Sequence, residues 1–148
     1  MPFYRFLLKA GHQGAGKYAE IEIGTFAPTY TKALELAKKA PMIKHDKSSV
    51  VIKSEIIDEL DYIVLRIKDR YAKLINGEID ICSLANLYKC KATFSGSYFK
   101  TDEAKKIAEF CKRYEKAEDT QKIELEQEYK NWAFEVIRNY DNQQNLTI

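Results

Sequence analysis

From Lys17 to Phe26 the side chains alternate in character with a period of two, and from Leu60 onward the apolar positions recur with a helical period. That switch limits the folds open to the chain more than any other feature. Tyr18, Glu20 and Glu22 fall on one side of the first segment and Ala19, Ile21 and Ile23 on the other, which is the pattern of a half-buried strand. Leu60, Ile63, Val64, Ile67, Tyr71, Leu74 and Ile75 instead mark one face of a helix. A strand-rich beginning followed by helix is an α+β layout.

The remaining elements follow from local signals. Phe3 to Ala10 reads as a strand, joined to the next by Gly11-His12-Gln13-Gly14-Ala15-Gly16. Two strands linked by glycines predict an antiparallel pair. A helix is expected after Thr29 or Thr31, with Ala33, Leu34, Leu36, Ala37 and Ala40 as its stripe and Pro41 as its stop. Val50 to Ile56 reads as a third strand, with Val50, Ile52 and Ile56 on one face. The Leu60 helix has acids Asp58, Glu59 and Asp61 at its start and Asn76-Gly77 as its stop. Ser83 is expected to open a short helix through Leu84 and Leu87, and residues 93–99 to form a small hairpin or aromatic loop. Thr101-Asp102-Glu103 begins a helix with Ala104, Ile107, Ala108, Cys111 and Tyr114 inward. Ile123, Leu125, Tyr129, Trp132, Ala133, Val136, Ile137 and Tyr140 mark the last helix, with a frayed tail after Asp141. The expected organisation is a strand-strand-helix-strand part over 1–57, with a small antiparallel sheet, and a mainly helical part over 58–148 packed on it. One domain spanning 1–148 is the alternative.

A chain of 148 residues with 45% apolar side chains is long enough to bury a core without staples. The net charge of +2 selects no partner class, but its distribution is uneven. Residues 1–57 carry +4, residues 58–100 carry +1 and residues 101–148 carry −3. Cys82, Cys90 and Cys111 fit neither a disulfide framework nor zinc-ligand spacing. No apolar run reaches the length of a membrane span, so a reducing cytoplasm is the expected setting.

Several motifs invite chemistry. Gly11-x4-Gly16-Lys17 begins like a phosphate-binding P-loop. The next residue is Tyr18, where the magnesium-binding hydroxyl of Ser or Thr belongs, and the segment that follows alternates like a strand where a helix is required. Backbone amides of such a loop, with Lys17 and His12, still suit an anion nest. His45-Asp46 resembles the adjacent pair of metal-dependent phosphohydrolases, but the chain has only His12 and His45 as imidazoles. No cysteine sits in a nucleophile signature, and no two carboxylates are set apart as an acid–base pair. The expectation is therefore no catalytic residue, no metal and no cofactor.

Two surfaces are candidates for binding. Tyr62, Arg66, Arg70 and Lys73 step by four, four and three along the Leu60 helix, forming a stripe beside its apolar face. Arginine and tyrosine are favoured at protein interfaces and on nucleic acid. His12 and Lys17 in the first loop, with Lys44, His45 and Lys47 in the loop after Pro41, form a second, basic candidate.

The segments Lys9-Ala10-Gly11-His12-Gln13-Gly14-Ala15-Gly16-Lys17 and Ala40-Pro41-Met42-Ile43-Lys44-His45-Asp46 resemble those of short proteins carried on bacterial mobile elements and phages. The resemblance covers the first third of the chain. It implies a setting in which small non-enzymatic proteins bind and block host machinery, CRISPR nucleases included. The expected function is a non-catalytic inhibitor or adaptor acting on a protein or nucleoprotein target. A direct nucleic-acid-binding regulator and a phosphate- or nucleotide-handling enzyme are the alternatives.

Overall fold

The computed structural model describes residues 2–10, 19–39, 50–69, 80–95 and 98–146. It shows an α+β chain divided into two compact units, Met1–Asp80 and Ile81–Ile148. The boundary falls after Asp80 and not after residue 57, where the change of period suggested one.

The first unit is built on a three-stranded antiparallel sheet of order β2-β1-β3, with β1 at Phe3–Ala10, β2 at Ala19–Phe26 and β3 at Val51–Ile57. Even-numbered residues of β1 face one side. Tyr4, Phe6 and Leu8 gather there with Ile21, Ala27, Ala33, Ala37 and Val50 into a buried cluster. Helix α1, Tyr30–Lys38, covers this side with Ala33 and Ala37 turned inward. Its start is fixed by Thr29, whose side chain accepts from the Lys32 amide. The buried Thr25 hydroxyl donates to the Ala33 carbonyl at 3.2 Å and ties β2 to the helix.

Helix α2, Glu59–Ile67, opens with a capping box between Asp58 and Asp61. It packs against β2 and β1 on the other side of the sheet, which is why it belongs with the strands. Tyr62 lies 5.1 Å from Phe3 and 5.7 Å from Phe26 between ring centroids. The contact is tight over a glycine of the sheet: a Cβ at Gly24 would sit 3.0 Å from Tyr62 Cδ2. The helix stops at Ile67 with Lys68 extended, short of the Asn76-Gly77 stop. Residues 70–79, including Tyr71, Leu74 and Ile75, lie outside the described residues.

The register of β1 against β3 shifts between Leu7 and Leu8, because Lys53 opposes Leu7 and Val51 opposes Leu8. The extra residue breaks the expected single face. Val50 is buried, whereas Ile52 and Ile56 are 39% and 70% exposed.

The second unit contains α3 (Leu84–Tyr88), α4 (Lys91–Ser95), α5 (Asp102–Lys116) and α6 (Asp119–Leu146). Thr101 caps α5, and the two residues Ala117 and Glu118 join it to α6. Phe110 meets Tyr129 and Trp132, and Arg113 meets Glu128, so the partner number rises as the α5 number falls and the two helices run antiparallel. Ala104, Ile107, Phe110 and Cys111 of α5 are buried, as are Leu125, Tyr129, Ala133 and Ile137 of α6, spaced four apart. Leu84, Leu87, Phe94 and Phe99 complete the core. Three expectations are corrected here. Residues 91–95 are helical and not part of a hairpin, and α6 runs on to Leu146 where a tail was expected after Asp141. Ile123, expected on the inward stripe, is 73% exposed because the stripe begins with Leu125.

The start of α3 is held from a distance. Glu126 of α6 accepts from the Ser83 hydroxyl at 2.7 Å and from the Leu84 and Ala85 amides at 2.9 Å each. A carboxylate at a helix start meets exactly the donors that the first turn leaves without intrahelical partners.

Candidate functional site

The structure divides the predicted stripe on α2. Tyr62 is 2% exposed and belongs to the core between Phe3, Phe26 and Gly24. The correction has a simple cause. α2 is buried over Tyr62, Ile63, Val64 and Ile67, so the inward arc keeps the expected Ile63, Val64 and Ile67 and widens to take in Tyr62. Arg66 is half-buried, and its Nε is enclosed without a hydrogen-bond partner among the described residues. Its stem packs instead of projecting. Arg70 and Lys73 lie outside the described residues, as do His12, Lys17, Lys44, His45 and Lys47.

The context of the glycine-rich loop is visible on both sides. β1 ends at Ala10 and β2 begins at Ala19, paired antiparallel from Ala10↔Ala19 to Phe3↔Phe26. A strand stands where a P-loop needs a helix to aim its amides at phosphate. Among the described residues no group of His, Cys, Asp and Glu is arranged to hold a metal. Cys90 is exposed, Cys82 half-buried and Cys111 buried. Burial pushes the Cys111 thiol up from its ordinary pKa, against a smaller pull from Lys91, so the nucleophilic thiolate is disfavoured there. No helix among the described residues is long and apolar enough to cross a membrane.

What the fold does present is the part of the sheet that α2 leaves open. Arg5, Leu7 and Lys9 of β1 stand between Glu20 and Glu22 of β2 and Lys53 and Glu55 of β3. The register orders them by charge. Lys9 opposes Glu20, Arg5 opposes Glu55, and Leu7 lies between Glu22 and Lys53. Arg5 and Glu55 form an ion pair with both side chains about one-third exposed. Arg5, Leu7, Glu22, Lys53 and Glu55 line a shallow hollow of about 160 Å³. Three cations and three carboxylates surround one leucine on this face, so its formal charge cancels.

On the opposite side, α1 covers β1 and β2 and reaches β3 through Tyr30. Ile56, which opposes Tyr4 on this side, is 70% exposed, Tyr30 is 44% exposed, and Ile52, the inserted residue of β3, is 39% exposed. The Tyr30 ring lies 6.0 Å from Tyr4 and 5.6 Å from Phe6, and its hydroxyl is 3.2 Å from the Ser54 Oγ. The sequence signal for the charged face was present in the alternation of Glu20 and Glu22. It needed the strand register to bring Arg5, Lys9, Lys53 and Glu55 beside them.

No family model, no curated protein and no solved structure matches this chain. The functional reading therefore rests on its own residues.

Proposed function

We propose that the chain is a non-catalytic binding protein, an inhibitor or adaptor, and that it meets a protein or nucleoprotein target through the open charged face of its sheet. The observation that carries this reading is the balanced charge of that face. A polyanion is held by an excess of Lys and Arg that displaces counterions. Interleaved charges of both signs suit another protein, where complementary patterns fix orientation and reject wrong partners. Leu7 at the centre adds a small apolar contact, and the sheet holds each charged group in a fixed register.

The test is retention of a target from host lysate by the immobilised chain, with and without nuclease treatment, in parallel with a Glu20→Lys/Glu22→Lys chain. A specific partner that survives nuclease and is lost by the double reversal supports the reading. Retention that vanishes with nuclease, together with a salt-sensitive mobility shift of naked DNA or RNA, transfers the function to direct nucleic-acid binding. For the nucleoprotein class implied by the resemblance, a CRISPR nuclease of host defence, the assay is target cleavage with rising amounts of the chain. Inhibition by the wild-type chain, absent with the charge-reversed one, is the expected result.

A further inference from the structure

We propose that a second copy of this chain pairs with β3, edge to edge and antiparallel, to form a two-fold symmetric dimer with a continuous six-stranded sheet. The inference goes beyond the proposed target binding and does not depend on it.

β3 ends the sheet on one side among the described residues. Its outer edge has a definite polarity. The Lys9 amide donates to the Val50 carbonyl, so the odd-numbered residues of β1 turn their backbone groups toward β3. Arg5 and Phe3 therefore bond to their partners Glu55 and Ile57. Alternation then turns the backbone groups of Ser54 and Ile56 outward, to the edge that no strand pairs among the described residues.

The sequence of that edge is self-complementary. From Val51 to Ile57 it reads Val-Ile-Lys-Ser-Glu-Ile-Ile. A two-fold axis through Ser54 sets Ser54 against its own copy, Ile52 against the copy's Ile56, and Lys53 against the copy's Glu55. In such an isologous contact each residue i that meets j of the copy is matched by j meeting the copy's i. Here the symmetry joins apolar to apolar and positive to negative. Ile52 and Ile56, 39% and 70% exposed in one chain, would cover each other.

Charge also fixes the register. A shift of two residues one way brings Glu55 onto Glu55, and the other way brings Lys53 onto Lys53. Like charges directly opposite are unfavourable in a sheet. A shift of one residue sets an outward-facing backbone against an inward-facing one and loses the ladder. Of these registers, only the one centred on Ser54 sets outward-facing Ser54 against its copy and joins opposite charges and isoleucines, with the strand irregularity at Ile52 lying at the end of the ladder.

The experiment is sedimentation equilibrium on the full chain over a wide concentration range, with circular dichroism confirming that each variant is folded. The wild-type mass should rise with concentration from 17.2 kDa toward twice that value. Lys53→Glu sets a carboxylate against the other copy's Glu55 at both symmetry-related places and should weaken self-association at least tenfold. Ile56→Lys, at a position already 70% exposed, should do the same without disturbing the fold. A Glu55→Lys chain should self-associate as poorly, yet a mixture of the Lys53→Glu and Glu55→Lys chains should form a heterodimer, because each then offers the other only opposite charges. A wild-type mass fixed at 17.2 kDa up to about millimolar concentration overturns the proposal. So does a dimer whose dissociation constant ignores Lys53→Glu and Ile56→Lys. If Glu55→Lys unfolds the chain by facing Arg5, the two remaining variants still decide the question. A charged-face variant that loses its target while still dimerising separates this proposal from the target-binding one.

Discussion

Replacing Glu126 with alanine tests the idea that a side chain of the last helix holds the short helix α3 in place. The carboxylate accepts three hydrogen bonds, from the Ser83 hydroxyl and the Leu84 and Ala85 amides, all at 2.9 Å or less. Hydrogen bonds to a charged group contribute more than neutral ones, but this site is only partly buried and water replaces some of the loss. About 1 kcal/mol each, or about 2–3 kcal/mol in all, is a reasonable total. The effect matters because α3 is only five residues long and carries Leu84 and Leu87, both almost fully buried. For a unit the size of Ile81–Ile148 the expected loss in melting temperature is roughly 10–20 °C, at about 4–8 °C per kcal/mol. Glu126→Gln keeps one acceptor oxygen and should lose about half as much. Thermal unfolding by circular dichroism measures the size, and amide exchange by NMR gives the place. The Leu84 and Ala85 amides should exchange faster before any others. A melting temperature within about 2 °C of wild type, with those two amides unchanged, would refute the reasoning.

Other perturbations have equally definite outcomes. Gly24→Val should cost about 1–3 kcal/mol in urea unfolding, because its side chain would collide with Tyr62 and Leu65; an unchanged midpoint would show that α2 yields freely. The paired hydrogen bonds of Arg113 to Glu128, at 3.0 and 2.9 Å, hold the Glu128 carboxyl below the ordinary carboxylate range. The stability this pair adds is present above the unfolded-state value and is lost as pH falls through the lowered folded-state value. Both side chains are about half exposed, so the contribution should stay under about 1 kcal/mol. Urea midpoints of wild type and Glu128→Gln should differ slightly at neutral pH and converge in acid; a gap that widens on acidification contradicts the pairing. In the folded chain at neutral pH, a thiol reagent should modify Cys90 first and Cys111 last, since one is exposed and the other buried with its thiol pKa raised. Equal rates would mean that the α5–α6 core opens readily.

The fold class and most helix starts were legible in the sequence because they depend on near neighbours. Thr29, Ser83 and Thr101 each accept from an amide two or three residues on, a relation that composition and spacing display directly. The alternation of residues 19–26 likewise gave a strand without any partner being known. The candidate site was not legible for the opposite reason. Tyr62 was expected to sit beside the apolar face, and it became core because Gly24 on β2 left room for its ring. The charge order of the open face exists only when Lys9 meets Glu20 and Arg5 meets Glu55 across strands. The displacement of Ile52 from the face of Val50 depends on an irregularity in β3 that only the pairing with β1 reveals. None of these is a property of spacing along the chain.

The hold of Glu126 on residues 83–85 also has an order in time. During synthesis, α3 leaves the ribosome more than forty residues before the carboxylate that anchors its first turn. Until α6 is made, that turn has only Ser83 to steady it, and its leucines have no completed helix hairpin to enter. Folding of Ile81–Ile148 must therefore wait at least for Glu126, about two-thirds of the way along it, and a fragment that ends before Glu126 should be a target for proteases and not a smaller working part.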